Sequence, residues 1–185
     1  MQARIARRGL LLGVAATLTG VAAPAVVRAQ GLASGAVRRA SLHNLHTGDT
    51  FNDVFYAEGR YLPDALAEAN RVLRDWRNGE EHPIDPRLFD ALHAINARLE
   101  SSRPFQVISG YRSPRTNAML HRRSSGVAQK SQHTLGKAID VRIQGVELRN
   151  LRSAALDVGA GGVGYYPVSN FVHVDVGRVR QWTGA

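Results

Sequence analysis

Residues 131–143 read SQHTLGKAIDVRI. The second half, Ala138-Ile139-Asp140-Val141-Arg142-Ile143, alternates in character as a strand with one buried face does, which puts Asp140 on or near a sheet. Just before it, Gly136 permits a backbone turn, so that His133 on the entering loop can point back towards Asp140. A second stretch, FVHVDVG at 171–177, reads as a short strand carrying His173. Taken singly, each of these three residues reads more readily as an ordinary polar, turn or ion-pair side chain than as a ligand. Taken together, two imidazoles and one carboxylate are a natural zinc set, because catalytic zinc takes three protein ligands and leaves a fourth position for water. The chain has no cysteine, so a metal site has to be built from His, Asp or Glu.

Outward from this stretch, residues 105–109 (FQVIS) form a strand-like run ended by Gly110. Ser113-Pro114 then opens a short helix towards Leu120, and residues 122–130 read as a polar surface loop. Downstream, a helix fits residues 146–158, followed by a glycine cluster and two short strands, 163–166 and 171–176. Upstream, segments 40–46 and 50–57, separated by Thr47-Gly48-Asp49, predict a hairpin. Leu62, Leu66, Ala69, Val72, Leu73 and Trp76 share one helical face, with Pro63 in the first turn and Gly79 expected to stop the helix. Asp85 is a good N-cap for a second helix that has Pro86 at its first position and Leu88, Leu92, Ile95 and Leu99 facing a core. His93 lies off that stripe and reads as a surface residue. The order of elements predicts an α+β fold.

A chain of 185 residues with 44% hydrophobic side chains can bury one ordinary core, so one domain is expected. Its first 29 residues carry Arg4, Arg7 and Arg8, an apolar stretch from Leu10 to Val27, and the ending Val27-Arg28-Ala29: an export signal cut after Ala29. Arg7-Arg8 followed by Gly9-Leu10-Leu11 resembles a twin-arginine signal. Gly13, Gly20 and Pro24 interrupt the stretch, and much of its apolar character comes from alanine, which argues against a stable membrane span. Residues 30–38 read as a linker and 39–185 as the domain, in a periplasmic or extracytoplasmic location. Four of the signal's residues are arginines and none is acidic, so the formal charge of +9 leaves +5 on the remainder. That excess suits an anionic wall polymer as neighbour. Export, and the lack of a basic run interleaved with aromatics, argue against a nucleic-acid partner.

Four ordered segments, SGYRSPRTN (109–117), SQHTLGKAID (131–140), GGVGYYP (161–167) and FVHVDVGRVRQW (171–182), resemble the D-alanyl-D-alanine carboxypeptidase and murein endopeptidase group of zinc peptidases. Within that group the likeness is closest to the murein endopeptidase K-like branch. The resemblance implies Zn2+ on His133, Asp140 and His173, and a small α+β domain whose central antiparallel sheet, flanked by helices, carries the zinc site. It also implies hydrolysis of peptide bonds in peptidoglycan stem peptides or cross-links, by endopeptidase or carboxypeptidase action. Arg112 is the residue expected to bind the substrate, gripping a carboxylate or polarising the scissile carbonyl, because a guanidinium stays charged and offers a planar fork of donors. Ser109, Tyr111 and Asn117 are its expected substrate-binding neighbours.

One departure bears on mechanism. Many members of the group carry a glutamate or histidine as general base two or three residues before the last zinc ligand, where this chain has Asn170 and Phe171. Asp175, two residues after His173 on a strand and therefore on the same face, is the candidate catalytic base or ligand-orienting group. Glu147 is a further candidate base. Two other readings remain open: a non-catalytic peptidoglycan-binding module that retains the fold, and a structural metal closed by a fourth ligand such as His43 or His46.

Overall fold

The computed structural model describes residues 37–124 and 126–184; the expected signal and residues 30–36 of the expected linker lie outside them. β1 (Arg38–Asn44) and β2 (Thr50–Ala57) form the hairpin, antiparallel with Leu42 opposite Phe51. Arg38, expected to close the linker, already pairs with Tyr56. A tight turn at Glu58-Gly59 returns the chain into a two-residue strand, β3 (Arg60–Tyr61), too short to leave a sequence signal.

α1 (Pro63–Val72) starts at its proline, as expected, but ends at Leu73, before Trp76 and Gly79. The helix stops there because Asp75 organises a competing turn: its carbonyl accepts from the N–H groups of Asn78 and Gly79, and its carboxylate from the N–H groups of Arg77 and Ser113. Trp76 leaves the helical face and stacks on His46 instead. α2 (Pro86–Arg98) has the expected cap, with the Asp85 carboxylate accepting from Arg87 N at 3.1 Å. β4 (Phe105–Ser109) is followed by α3 (Pro114–Arg123), capped by the Ser113 hydroxyl accepting from Thr116 N. One 3-10 turn, Gln132–Leu135, lies between the polar loop and β5 (Ala138–Ile143). α4 (Leu148–Val158), β6 (Gly162–Tyr166) and β7 (Phe171–Asp175) match their expected positions closely. β8 (Arg180–Thr183), whose RQWT sequence has no strand-like alternation, was not expected.

The strands form one sheet in the order β3-β2-β1-β4-β5-β7-β6-β8. The centre, β4-β5-β7-β6, is antiparallel throughout. The sheet as a whole is mixed, because β1 runs parallel to β4 and β8 parallel to β6. Both parallel pairs join strands whose connection includes a helix or crosses a neighbouring strand, which a tight hairpin turn does not require. The fold is α+β, and the described residues belong to one compact unit.

The hydrophobic core lies between one sheet face and the helices. Ile139, Val141 and Ile143 of β5 and Val172 and Val174 of β7 enter it beside Phe51, Phe105, Leu88, Phe89, Leu92 and Leu151. Side chains alternate along a strand, so Asp140 and His173 project from the other face. The core therefore holds the strands rigidly while leaving their opposite face free for chemistry. No helix among the described residues is long and apolar enough to cross a membrane.

Candidate metal centre

Sheet register builds the site. Ser109 lies opposite Asp140, Asp140 opposite His173, His173 opposite Gly164, and Gly164 opposite Trp182, one row across five adjacent strands. Residues opposite one another share a face, so the row sets Asp140 and His173 side by side. His133 arrives from the 3-10 turn, which Ser131 opens by accepting from His133 N and Gly136 closes in the left-handed conformation (φ 64°). Gly136 has a second reason to be glycine: a Cβ there would collide with the carbonyl oxygen of Pro83.

Three ligand atoms converge. His133 Nε2 lies 3.2 Å from Asp140 Oδ1 and 3.1 Å from His173 Nδ1, and His173 Nδ1 lies 2.8 Å from Asp140 Oδ1. The outer nitrogen of each imidazole is engaged elsewhere. His133 Nδ1 donates to Gly110 O at 2.7 Å, and His173 Nε2 donates to Asp175 Oδ2 at 3.1 Å. In the neutral tautomers these bonds require, the two inner nitrogens and the carboxylate oxygen all present lone pairs to one another. Such an arrangement is repulsive unless a cation stands among them, and it matches the pattern by which outer partners orient metal-binding histidines. The donor set, nitrogen and oxygen without sulfur, fits zinc.

Electrostatics points the same way. Burial pushes the His133 pKa down, more than Asp140 pushes it up, so this imidazole is held neutral. Burial works against the Asp140 carboxylate, but its closeness to His133 and His173 outweighs it and holds its pKa well below the usual carboxylate range. His173 is raised: burial opposes its charge, and hydrogen bonds to Asp140 and Asp175 overcome that opposition. Two buried carboxylates thus create a demand for positive charge at one point, which a proton on His173 meets when no metal does.

The structure puts Asp175 behind His173, fully buried, with each carboxylate oxygen occupied. Oδ1 accepts from Gly162 N at 3.0 Å and Gly177 N at 2.8 Å, and Arg180 approaches both oxygens, at 3.2 and 2.6 Å. Burial acts to raise its pKa, but the bonds from His173, Arg180 and the two backbone groups hold it well below the ordinary range. An acceptor so saturated has no free lone pair to offer; its contact on the cleft side is His173, and it does not line the cleft.

Arg112 does. It is 9% exposed, lies 3.6 Å from Asp140 Oδ2, and donates to Ser109 Oγ and Asn117 Oδ1, both at 3.3 Å. Its Nε is buried without a partner among the described residues. Ser109 and Asn117 hold this guanidinium in place. Tyr111 points away, its hydroxyl donating to Glu80 at 2.9 Å and its ring stacking on His82. His43 pairs along β1 and β2, His46 stacks on Trp76, and His93 Nδ1 contacts Arg39 O, so none of them joins the centre. Glu147 pairs with its helix neighbour Arg149.

The centre forms the floor of a cleft of about 820 Å3. Its walls include residues that sequence reasoning passed over: Lys130, Tyr166, Phe171 and Trp182. Trp182 donates from Nε1 to the Tyr166 hydroxyl at 2.9 Å, and its ring centroid lies 5.2 Å from that of His173. It reaches so far because Gly164 has no side chain; a Cβ there would sit 2.6 Å from the indole. Gly164 and Trp182 both fall in segments that carry the family resemblance, but only the β6–β8 register makes them neighbours.

Comparison with known proteins agrees with this geometry. A family model described as Peptidoglycan L,D-endopeptidase MepK matches residues 32–182. The chain is 49% identical over 142 residues to the Peptidoglycan L,D-endopeptidase MepK of Escherichia coli (strain K12), covering 77% of this chain and 78% of the relative, and equally so to that of Shigella flexneri. It is 43% identical over 145 residues to the protein of Haemophilus influenzae (strain ATCC 51907 / DSM 11121 / KW20 / Rd) named "Probable peptidoglycan L,D-endopeptidase MepK", covering 78% of each. No solved structure gave a significant match. A match over most of the chain, with the histidine and aspartate cluster at its centre, means that the chain belongs to the peptidoglycan L,D-endopeptidase MepK family.

Proposed function

We propose that this chain is an exported zinc peptidase that hydrolyses peptide bonds in the stem peptides or cross-links of peptidoglycan. One observation carries the reading: three buried lone-pair donors from His133, Asp140 and His173 converge on the floor of an open cleft, each oriented for a cation. The relatives' names favour endopeptidase over carboxypeptidase action, on an L,D bond. A zinc ion bound there supplies Lewis acidity, lowering the pKa of water towards about 7 and polarising a carbonyl.

The protein's own groups do the rest. Arg112, fixed by Ser109 and Asn117 with its Nε unpartnered, orients the substrate by its carboxylate or scissile carbonyl and stabilises negative charge that develops on the carbonyl oxygen. Asp175 is a positioning residue: it holds His173 with Nδ1 inward, and Arg180 keeps it ionised. Tyr111 supports the strand end from outside the cleft. Residues 1–29 direct the chain out of the cytoplasm, by the twin-arginine route, and are removed, leaving residues 30–38 ahead of a domain that works in the periplasm.

A second reading has a specific observation behind it. Apart from Asp140, His133 and His173, no carboxylate or imidazole among the described residues lines the cleft, so a separate general base is missing. A wall-binding module without turnover has the same appearance. Incubating the zinc-loaded exported protein with purified peptidoglycan, beside His173→Ala and a chelated control, separates the two. Zinc-dependent loss of cross-linked fragments by mass spectrometry is the expected result; retention on the wall with no product would establish the binding module.

A further inference from the structure

Lys130 stands on the cleft wall, three residues before His133, with its side chain exposed. Among the described residues it makes no hydrogen bond or ion pair. The other cations of the cleft are committed: Arg180 to Asp175, and Arg112 to Asp140, Ser109 and Asn117. Asp140, the one carboxylate among the described residues that lines the cleft, is already shared by Arg112 and the two histidines. The cleft therefore holds one positive charge more than its own side chains answer.

That charge is not on a loosely attached loop. Asn117 donates from Nδ2 to the carbonyls of Ala128 and Gln129, both at 3.1 Å, while its Oδ1 accepts from Arg112. One buried amide thus ties the backbone next to Lys130 to the guanidinium beside the centre. On the other side of Lys130, Ser131 caps the turn that carries His133. The backbone leading into Lys130 is thereby anchored to the residue that holds Arg112, and the two cations line one cleft, an arrangement suited to reading an anionic group in a ligand.

We propose that Lys130 is a specificity-determining residue that recognises a free carboxylate flanking the scissile bond, so that the preferred substrate is a wall peptide whose carboxylates are not amidated. This rests on the peptidase reading above and names the substrate class for that same cleft. A lysine ammonium donates to a carboxylate through charge-assisted bonds and gains much less from a neutral carboxamide.

The test uses a cross-linked wall-peptide dimer and the same dimer with the carboxylates flanking the scissile bond converted to carboxamides, each given to the zinc-loaded protein. For the wild type, kcat/KM is expected to favour the carboxylate dimer by about ten-fold. In Lys130→Gln that ratio collapses towards unity, and in Lys130→Arg it is restored. Added salt narrows the ratio in the wild type. Equal cleavage of both dimers by the wild type, or an undiminished preference in Lys130→Gln, would overturn the proposal while leaving the peptidase intact. Should the wild type cleave neither dimer, the peptidase reading fails, and calorimetric affinities of the two dimers decide the recognition question: equal binding, or a preference indifferent to Lys130, refutes it.

Discussion

His173 faces Asp140 and His133 at Nδ1 and is held by Asp175 at Nε2. Removing a first ligand and removing its orienting partner should differ in degree. His173→Ala is expected to abolish stoichiometric zinc binding. Asp175→Asn keeps the ligand but loosens its tautomer and orientation, and should weaken zinc affinity by about 10–100-fold in a competition titration. Arg112 calls for a different readout. Arg112→Lys keeps the charge and loses the planar fork, so zinc content should stay as in wild type while kcat/KM on peptidoglycan fragments falls by at least about ten-fold. The candidate set of His133, Asp140 and His173 was legible through the motifs that carry the family resemblance, since each residue taken alone reads as an ordinary polar side chain. Asp175 was legible as a same-face neighbour, but its role was not: whether a carboxylate acts on substrate or on a ligand depends on burial and partners, and here Gly162, Gly177 and Arg180 occupy it.

At the scale of elements, the metal centre depends on two glycines for different reasons. Gly136 terminates the His133 turn at a positive φ and packs against Pro83. Gly136→Ala adds left-handed strain and a steric clash, and should cost about 1–3 kcal/mol of stability in denaturant titrations, with weaker zinc binding as His133 shifts. Gly164 lies flat in β6 so that the Trp182 ring can lie near His173. Helices α2 and α3 were foreseen at their N-termini because Asp85-Pro86 and Ser113-Pro114 are local signals, and both caps form. The end of α1 was not foreseen, since the Asp75 turn that stops it draws on Ser113, distant in the chain.

For the molecule as a whole, stability should follow both metal and pH. A ligand bound to the folded chain alone stabilises it by RT ln(1 + [L]/Kd), about 2.7 kcal/mol at a hundred-fold excess over Kd, so chelation should lower the midpoint of thermal unfolding by several degrees. On the alkaline side, Tyr61 is raised to about 12 by its hydrogen bond to Asp90 and by burial, and Tyr111 to about 12 by burial and its bond to Glu80. Between the ordinary value of 10.0 and about 12 the unfolded chain has lost protons that the folded chain keeps. Stability is therefore intact below pH 10.0 and declines as pH rises towards 12. Urea midpoints across that range should fall less steeply in Tyr61→Phe with Tyr111→Phe than in the wild type. What the sequence by itself determined was local: the caps, the hairpin and the alternation of β5, each written within a few residues, while the candidate set of His133, Asp140 and His173 was read from the motifs that carry the family resemblance. Only the tertiary structure decided the parallel pairing of β1 with β4 and β8 with β6, the cross-strand row from Ser109 to Trp182, the burial of Asp175, and the approach of Lys130 to the cleft. The reason is that register and burial are set by which distant strands share a core, a sum over many weak contacts that no short segment contains.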